Sequence, residues 1–97
     1  MQPPYIVFEL NFMPGLLKEP IVLTPQNTKW EVVIRSLQRI GVSDWRKQYD
    51  NLEVCDGFSW SLKINTPQLK LRSSGSNDAP DAFEKVRELL EAAADDD

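Results

Sequence analysis

Histidine is absent from this 97-residue chain, cysteine occurs once, and no apolar run approaches the length of a membrane-spanning helix. Each absence removes a class of function. Without an imidazole, Ser-His-Asp and Cys-His nucleophilic chemistry is out of reach, as are the usual zinc ligand sets. Cys55 cannot close an internal disulfide, and it has no histidine to draw its thiol toward the thiolate. No metal or cofactor site is expected. The segment MQPPYIVFEL shows no basic stretch leading into a leader-like apolar run, so a cytoplasmic setting and no membrane association are expected.

Charge is scarce in net terms but unevenly placed. Eleven Lys and Arg stand against fifteen Asp and Glu, a formal charge of −4. The last twenty residues hold eight of those acids and only two of the bases, which leaves the first 77 residues slightly basic. Such polarity marks either a solvated helix face or a surface for a basic partner.

What is present is strand and helix patterning. YIVFELNF alternates with period two over residues 5–12, Ile6, Phe8, Leu10 and Phe12 forming one face. A Pro- and Gly-containing loop follows, then a short strand over 20–24, hairpinned to the first. Thr28 and Glu31 have the spacing of a capping box, so a helix is expected to begin at Thr28. Its stripe is Trp30, Val33, Ile34, Leu37 and Ile40, and Gly41 ends it in the left-handed conformation. Ser43 would cap a short second helix carrying Trp45 and Tyr49 one turn apart. Residues 52–55 and 58–64 read as strands joined by Asp56-Gly57 in a tight primed turn, and Leu69 and Leu71 alternate with Lys70 and Arg72 in a third strand of the meander. Gly75 would make a turn, Asn77 or Asp78 would cap the last helix, and Pro80 would take its first position. That helix carries Phe83, Val86, Leu89, Leu90 and Ala93 on one stripe. The expected fold is α+β, a two-layer sandwich in the order β-β-α-β-β-β-α, with an antiparallel sheet covered by two amphipathic helices. A single domain over 1–94 is followed by a frayed acidic end at 95–97.

Asp56, Gly57, Trp60, Leu62 and Ile64, followed by Gly75, Asn77 and Pro80, form a D-G-x-x-W-x-L-x-I … G-x-N-x-x-P pattern. Over residues 54–92 the chain resembles a family of small uncharacterised bacterial proteins with that pattern. The resemblance implies a bacterial or phage origin and a sheet closed by a C-terminal helix, and it implies no activity.

Three functions compete. The first is a non-catalytic protein-binding or regulatory module, on a protein partner or on itself as a homodimer, using the apolar residues Met13, Leu16 and Leu17 of the FMPGLL loop with Trp45 and Tyr49 as anchors. The second is a nucleic-acid-binding module using Lys29, Arg35, Arg39, Arg46 and Lys47 on and after the first helix. The third is a carboxylate-based hydrolase drawing on Asp44, Asp50, Glu53 and Asp56, whose ordinary roles in turns and at strand edges weigh against it.

Overall fold

A computed structural model describes residues 3–12, 16–17, 19–50 and 57–95. The fold is α+β: a mixed sheet and two helices. In chain order the elements are β1 (Tyr5–Phe12), β2 (Leu16–Leu17), β3 (Ile21–Leu23), α1 (Trp30–Ile40), β4 (Gln48–Asp50), β5 (Phe58–Asn65), β6 (Lys70–Ser76) and α2 (Phe83–Asp95). The sheet runs β2-β1-β5-β6-β4, with β3 paired to the same strand, β1, as β2. All its pairings are antiparallel except β4 with β6, which is parallel.

The two long strands β1 and β5 pair over eight residues each, from Tyr5↔Asn65 to Phe12↔Phe58. Their alternation puts Ile6, Phe8, Leu10, Trp60, Leu62 and Ile64 into the core. On β6 the inward positions are Leu71, Ser73 and Gly75. α1 adds Trp30, Val33, Ile34 and Leu37, and α2 adds Phe83, Val86, Leu90 and Ala93, so both helices bury their stripes in the same cluster. β5 and β6 are joined by a turn that Thr66 closes: its hydroxyl donates to the Leu69 carbonyl at 2.9 Å and accepts the Leu69 N–H at 2.8 Å. Among the described residues no buried side-chain polar atom lacks a hydrogen-bond partner.

Several expectations are corrected. The sheet is mixed, and its six strands among the described residues include two that were not expected, β2 and β4. The segment after α1 is not a second helix: a 3-10 turn over Val42–Asp44 is followed by strand β4, which places Tyr49 opposite Gly75. The strand expected at 52–55, and with it the expected hairpin, lies outside the described residues; β5 itself is flanked by β1 and β6. Gly57 is not at positive φ, as a primed turn would need. Its missing side chain instead leaves room for Asn77, whose amide oxygen accepts the N–H of Phe58 at 3.0 Å. Gly75 is likewise not a turn residue; it is part of β6.

The start of α1 also differs. The cap position is Lys29, which gives no side-chain cap bond. Asn27 organises the turn: its Oδ1 accepts the Lys29 N–H at 2.7 Å, and its Nδ2 donates to the Ala93 carbonyl at 3.1 Å. One buried side chain therefore joins the first turn of α1 to the last turn of α2, serving a donor at one helix end and an acceptor at the other. The opposite end of α1 is as expected, with Gly41 at φ 88° and its N–H bonded to the Leu37 carbonyl.

Candidate binding surfaces

The outward positions of the three long strands are Tyr5, Val7, Glu9 and Asn11 on β1, Ser59, Ser61, Lys63 and Asn65 on β5, and Lys70, Arg72, Ser74 and Ser76 on β6, and not one of them is buried. Register sets them in rows. Val22, Val7, Lys63 and Arg72 share one row, and Tyr5, Asn65 and Lys70 share the row beside it. Lys63 and Arg72 are thus directly opposite each other, and Lys70 lies two residues from Arg72 on the same face. Like charges in that relation repel. Among the described residues no carboxylate lies within ion-pair distance of any of the three, and the ion pairs join Arg87 to Glu84 and Glu91, away from this face. β5 and β6 contain no Asp or Glu at all, in a chain with fifteen. A shallow groove of about 440 Å³ runs between the cations, lined by Tyr5, Lys63, Asn65, Lys70 and Arg72. Glu9 lies on this face as well, two residues along β1 from Val7 and so diagonal to Lys63, whereas Asp50 stands at the far flank on β4 and is engaged by Gln48 Nε2 at 2.9 and 3.0 Å.

The sequence contains the signal for these cations, since Lys63, Lys70 and Arg72 each occupy a polar position of an alternating strand. It does not show that they meet, because that depends on which strands pair and in what register.

A second cleft, of about 450 Å³, opens where β5 meets the start of α2. Its floor is apolar, from Leu10, Phe58 and Phe83, and its rim carries Asp78, Asp81 and Glu84. Arg87 reaches this rim but is already engaged, its Nε donating to Glu91 at 3.2 Å and its Nη1 to Glu84 at 3.3 Å. The Glu91 hydrogen bond, against the opposing effect of burial, raises the guanidinium above its ordinary value. Arg87 therefore stays charged at any working pH.

The other candidate residues separate. Met13 lies outside the described residues, as do Glu53 and Asp56. β2 pairs Leu16 with Phe12 and Leu17 with Asn11, and Phe12 in turn pairs with Phe58. Trp45 and Tyr49 are instead packed around Trp60. The Trp45 and Trp60 rings meet edge to face at 5.8 Å, and Tyr49 lies 6.0 Å from Trp60. Tyr49 is 8% exposed and belongs to the core; its hydroxyl accepts the Arg46 N–H, and the Arg46 guanidinium lies 4.5 Å above its ring. Trp45 is half-buried against the same cluster.

The basic residues of α1 are exposed, but they do not form one patch. Arg35 and Arg39 are one turn apart, in line with Glu31, whereas Lys29 precedes the helix and lies about a third of a turn around from Arg35. Arg46 and Lys47 belong to the approach to β4, where the Arg46 carbonyl accepts the Ser73 hydroxyl at 2.6 Å. Asp44 and Asp50 are likewise held on separate elements, the 3-10 turn and β4. Among the described residues no group of three or more Cys, Asp or Glu could hold a metal ion, and no helix is long and apolar enough to cross a membrane.

The residues of the sequence pattern all have positions in the described structure except Asp56. Trp60 packs on Phe83 at 5.0 Å and donates its indole N–H to the Asp78 carbonyl at 2.8 Å. A Cβ on Gly75 would stand 2.5 Å from that nitrogen and 2.6 Å from the carbonyl oxygens of Asp78 and Tyr49. Asn77 adopts φ 61° and donates its N–H to the Phe58 carbonyl at 2.7 Å, closing the sheet six residues before α2 begins at Phe83. The Asp78 carboxylate accepts the N–H of Ala79. The pattern is thus a device for seating one tryptophan.

Comparison with protein-family models, with curated proteins and with solved structures returns no match.

Proposed function

We propose that the chain is a non-catalytic binding module, a two-layer α+β unit whose outward sheet face takes an anionic partner. The observation that supports this reading is the facing pair Lys63 and Arg72, joined by Lys70, on two strands without a single carboxylate. Cross-strand repulsion costs stability. An acidic chain that keeps three cations together there, none of them in an ion pair among the described residues, has a surface whose charge an anionic partner would complete.

Retention on immobilised heparin, used as a generic polyanion, tests the reading. The wild-type chain is retained at low salt and released as salt rises. The variant Lys63→Thr/Lys70→Thr/Arg72→Thr passes through unretained, while Arg35→Ser/Arg39→Ser is held like wild type. Equal loss in both variants, or loss in the α1 variant alone, would assign the electrostatics elsewhere.

The cleft at the start of α2 favours a second reading, a protein partner. An apolar floor with a rim of Asp78, Asp81 and Glu84 suits an apolar side chain flanked by a lysine or arginine. Both readings describe a bacterial or phage binding module, and they use opposite charges at different places on the molecule.

A further inference from the structure

We infer that the anionic partner of the sheet face is single-stranded nucleic acid, its phosphates on Lys63, Arg72 and Lys70 and a base on Tyr5. This rests on the reading of that face as an anion-binding surface and adds the identity of the anion.

Spacing is the first reason. Lys70 and Arg72 are two residues apart along one strand, about 7 Å, and Lys63 stands across from Arg72 at about 5 Å. The three positions form an L across two strands, with sides of about 5 and 7 Å and its corner at Arg72, a spread that suits neighbouring phosphates of one chain better than one small anion. Neighbours supply the second reason. Asn65, Ser61 and Ser74 occupy adjoining outward positions, and short neutral donors of this kind accompany cations along a sugar-phosphate backbone. Third, Tyr5 lines the same groove, in the row that runs through Asn65 to Lys70. A ring beside a cationic track gives a stacking surface for an unpaired base, and stacking is indifferent to sequence.

The shape selects against a duplex. Reading or gripping double-stranded DNA places a helix, ribbon or arm in a groove, and here the cations lie on the face of a sheet. Unpaired bases can be splayed on such a face. An acidic protein segment would be better served by several aromatic anchors than by one tyrosine among serines. A lipid surface would call for more protruding apolar side chains than Val22, the one large hydrophobic of this face that is mostly exposed among the described residues, at 59%.

Fluorescence anisotropy with labelled twelve-nucleotide dT and U strands tests this, beside a duplex of the same length and sedimentation with phosphatidylserine vesicles. The single strands bind, and the logarithm of the affinity falls by about two per tenfold rise in salt, the value for three neutralised phosphates. Lys63→Thr/Arg72→Thr weakens binding by about tenfold or more, and Lys63→Arg leaves it intact. Tyr5→Ala weakens it by about tenfold without changing the salt slope, and Tyr5→Phe restores it. Melting curves of each variant establish that it is folded. Equal or tighter binding to the duplex, or co-sedimentation with vesicles in place of strand binding, overturns the inference. So does heparin retention that depends on the three cations without any strand binding, which spares the reading of the face. Absence of heparin retention overturns both.

Discussion

Lys63 faces Arg72 across β5 and β6 on the outward side of the sheet, and among the described residues neither is in an ion pair. The pair should therefore be a weak point in stability as well as a strong point in binding. Replacing Arg72 by Thr removes the repulsion and keeps a good strand former. The expected gain is roughly 0.5 kcal/mol, or about 2–4 °C in melting temperature for a chain of this size. Added salt should raise the melting temperature of wild type more than that of the variant. A drop in stability would show that Arg72 is held by interactions of its own.

Gly75 is hemmed in mainly by main chain, whereas the near neighbour of Gly57 is the Asn77 side chain. Gly75→Ala would press a methyl group against the Trp60 indole nitrogen and two backbone oxygens. Two of those three neighbours are main chain and cannot swing aside. Denaturant unfolding should show a loss of about 3 kcal/mol. The near-ultraviolet signal of the tryptophans should change with it, since Trp60 is the group displaced.

Trp60→Phe tests the hydrogen bond separately from the packing. The ring stays in the aromatic cluster with Tyr49 and Phe83, but the Asp78 carbonyl loses its donor. A loss of about 1–2 kcal/mol is expected. A loss as large as that of Gly75→Ala would assign the indole a larger role in packing.

Asn27 connects two helix ends, so its loss should be felt at both. Asn27→Ala should cost about 1–2 kcal/mol, and amide hydrogen exchange should quicken together in the first turn of α1 and the last turn of α2. Asn27→Asp keeps the acceptor for Lys29 and loses the donor to Ala93, so it should fall between the two. Exchange that quickens in α1 alone would mean that the link to α2 carries no weight.

The strands and helices with strong periodicity were legible in the sequence: β1, the stripe of α1, the Gly41 cap, β5, β6 and the stripe of α2. Segments whose fate depends on distant partners were not. Trp45 and Tyr49 have helical spacing, yet Tyr49 pairs in parallel with Gly75, and nothing near it in sequence indicates that. Thr28 and Glu31 have the form of a capping box, but Asn27 one residue earlier also reaches α2 and organises the start. Asp56-Gly57 looks like a hairpin, while β5 is flanked on both edges by strands from elsewhere in the chain. The surface cations were visible one by one as polar residues of alternating strands. Their grouping became visible only with the register of β5 against β6.

The most direct test of the account is an amide chemical-shift map of the labelled chain titrated with a short inorganic polyphosphate. The account predicts saturable shifts at Lys63, Asn65, Lys70 and Arg72, with the 35–39 turn of α1 and the cleft residues 78–87 unmoved. Shifts centred on Arg35 and Arg39, or none on β5 and β6, would contradict it.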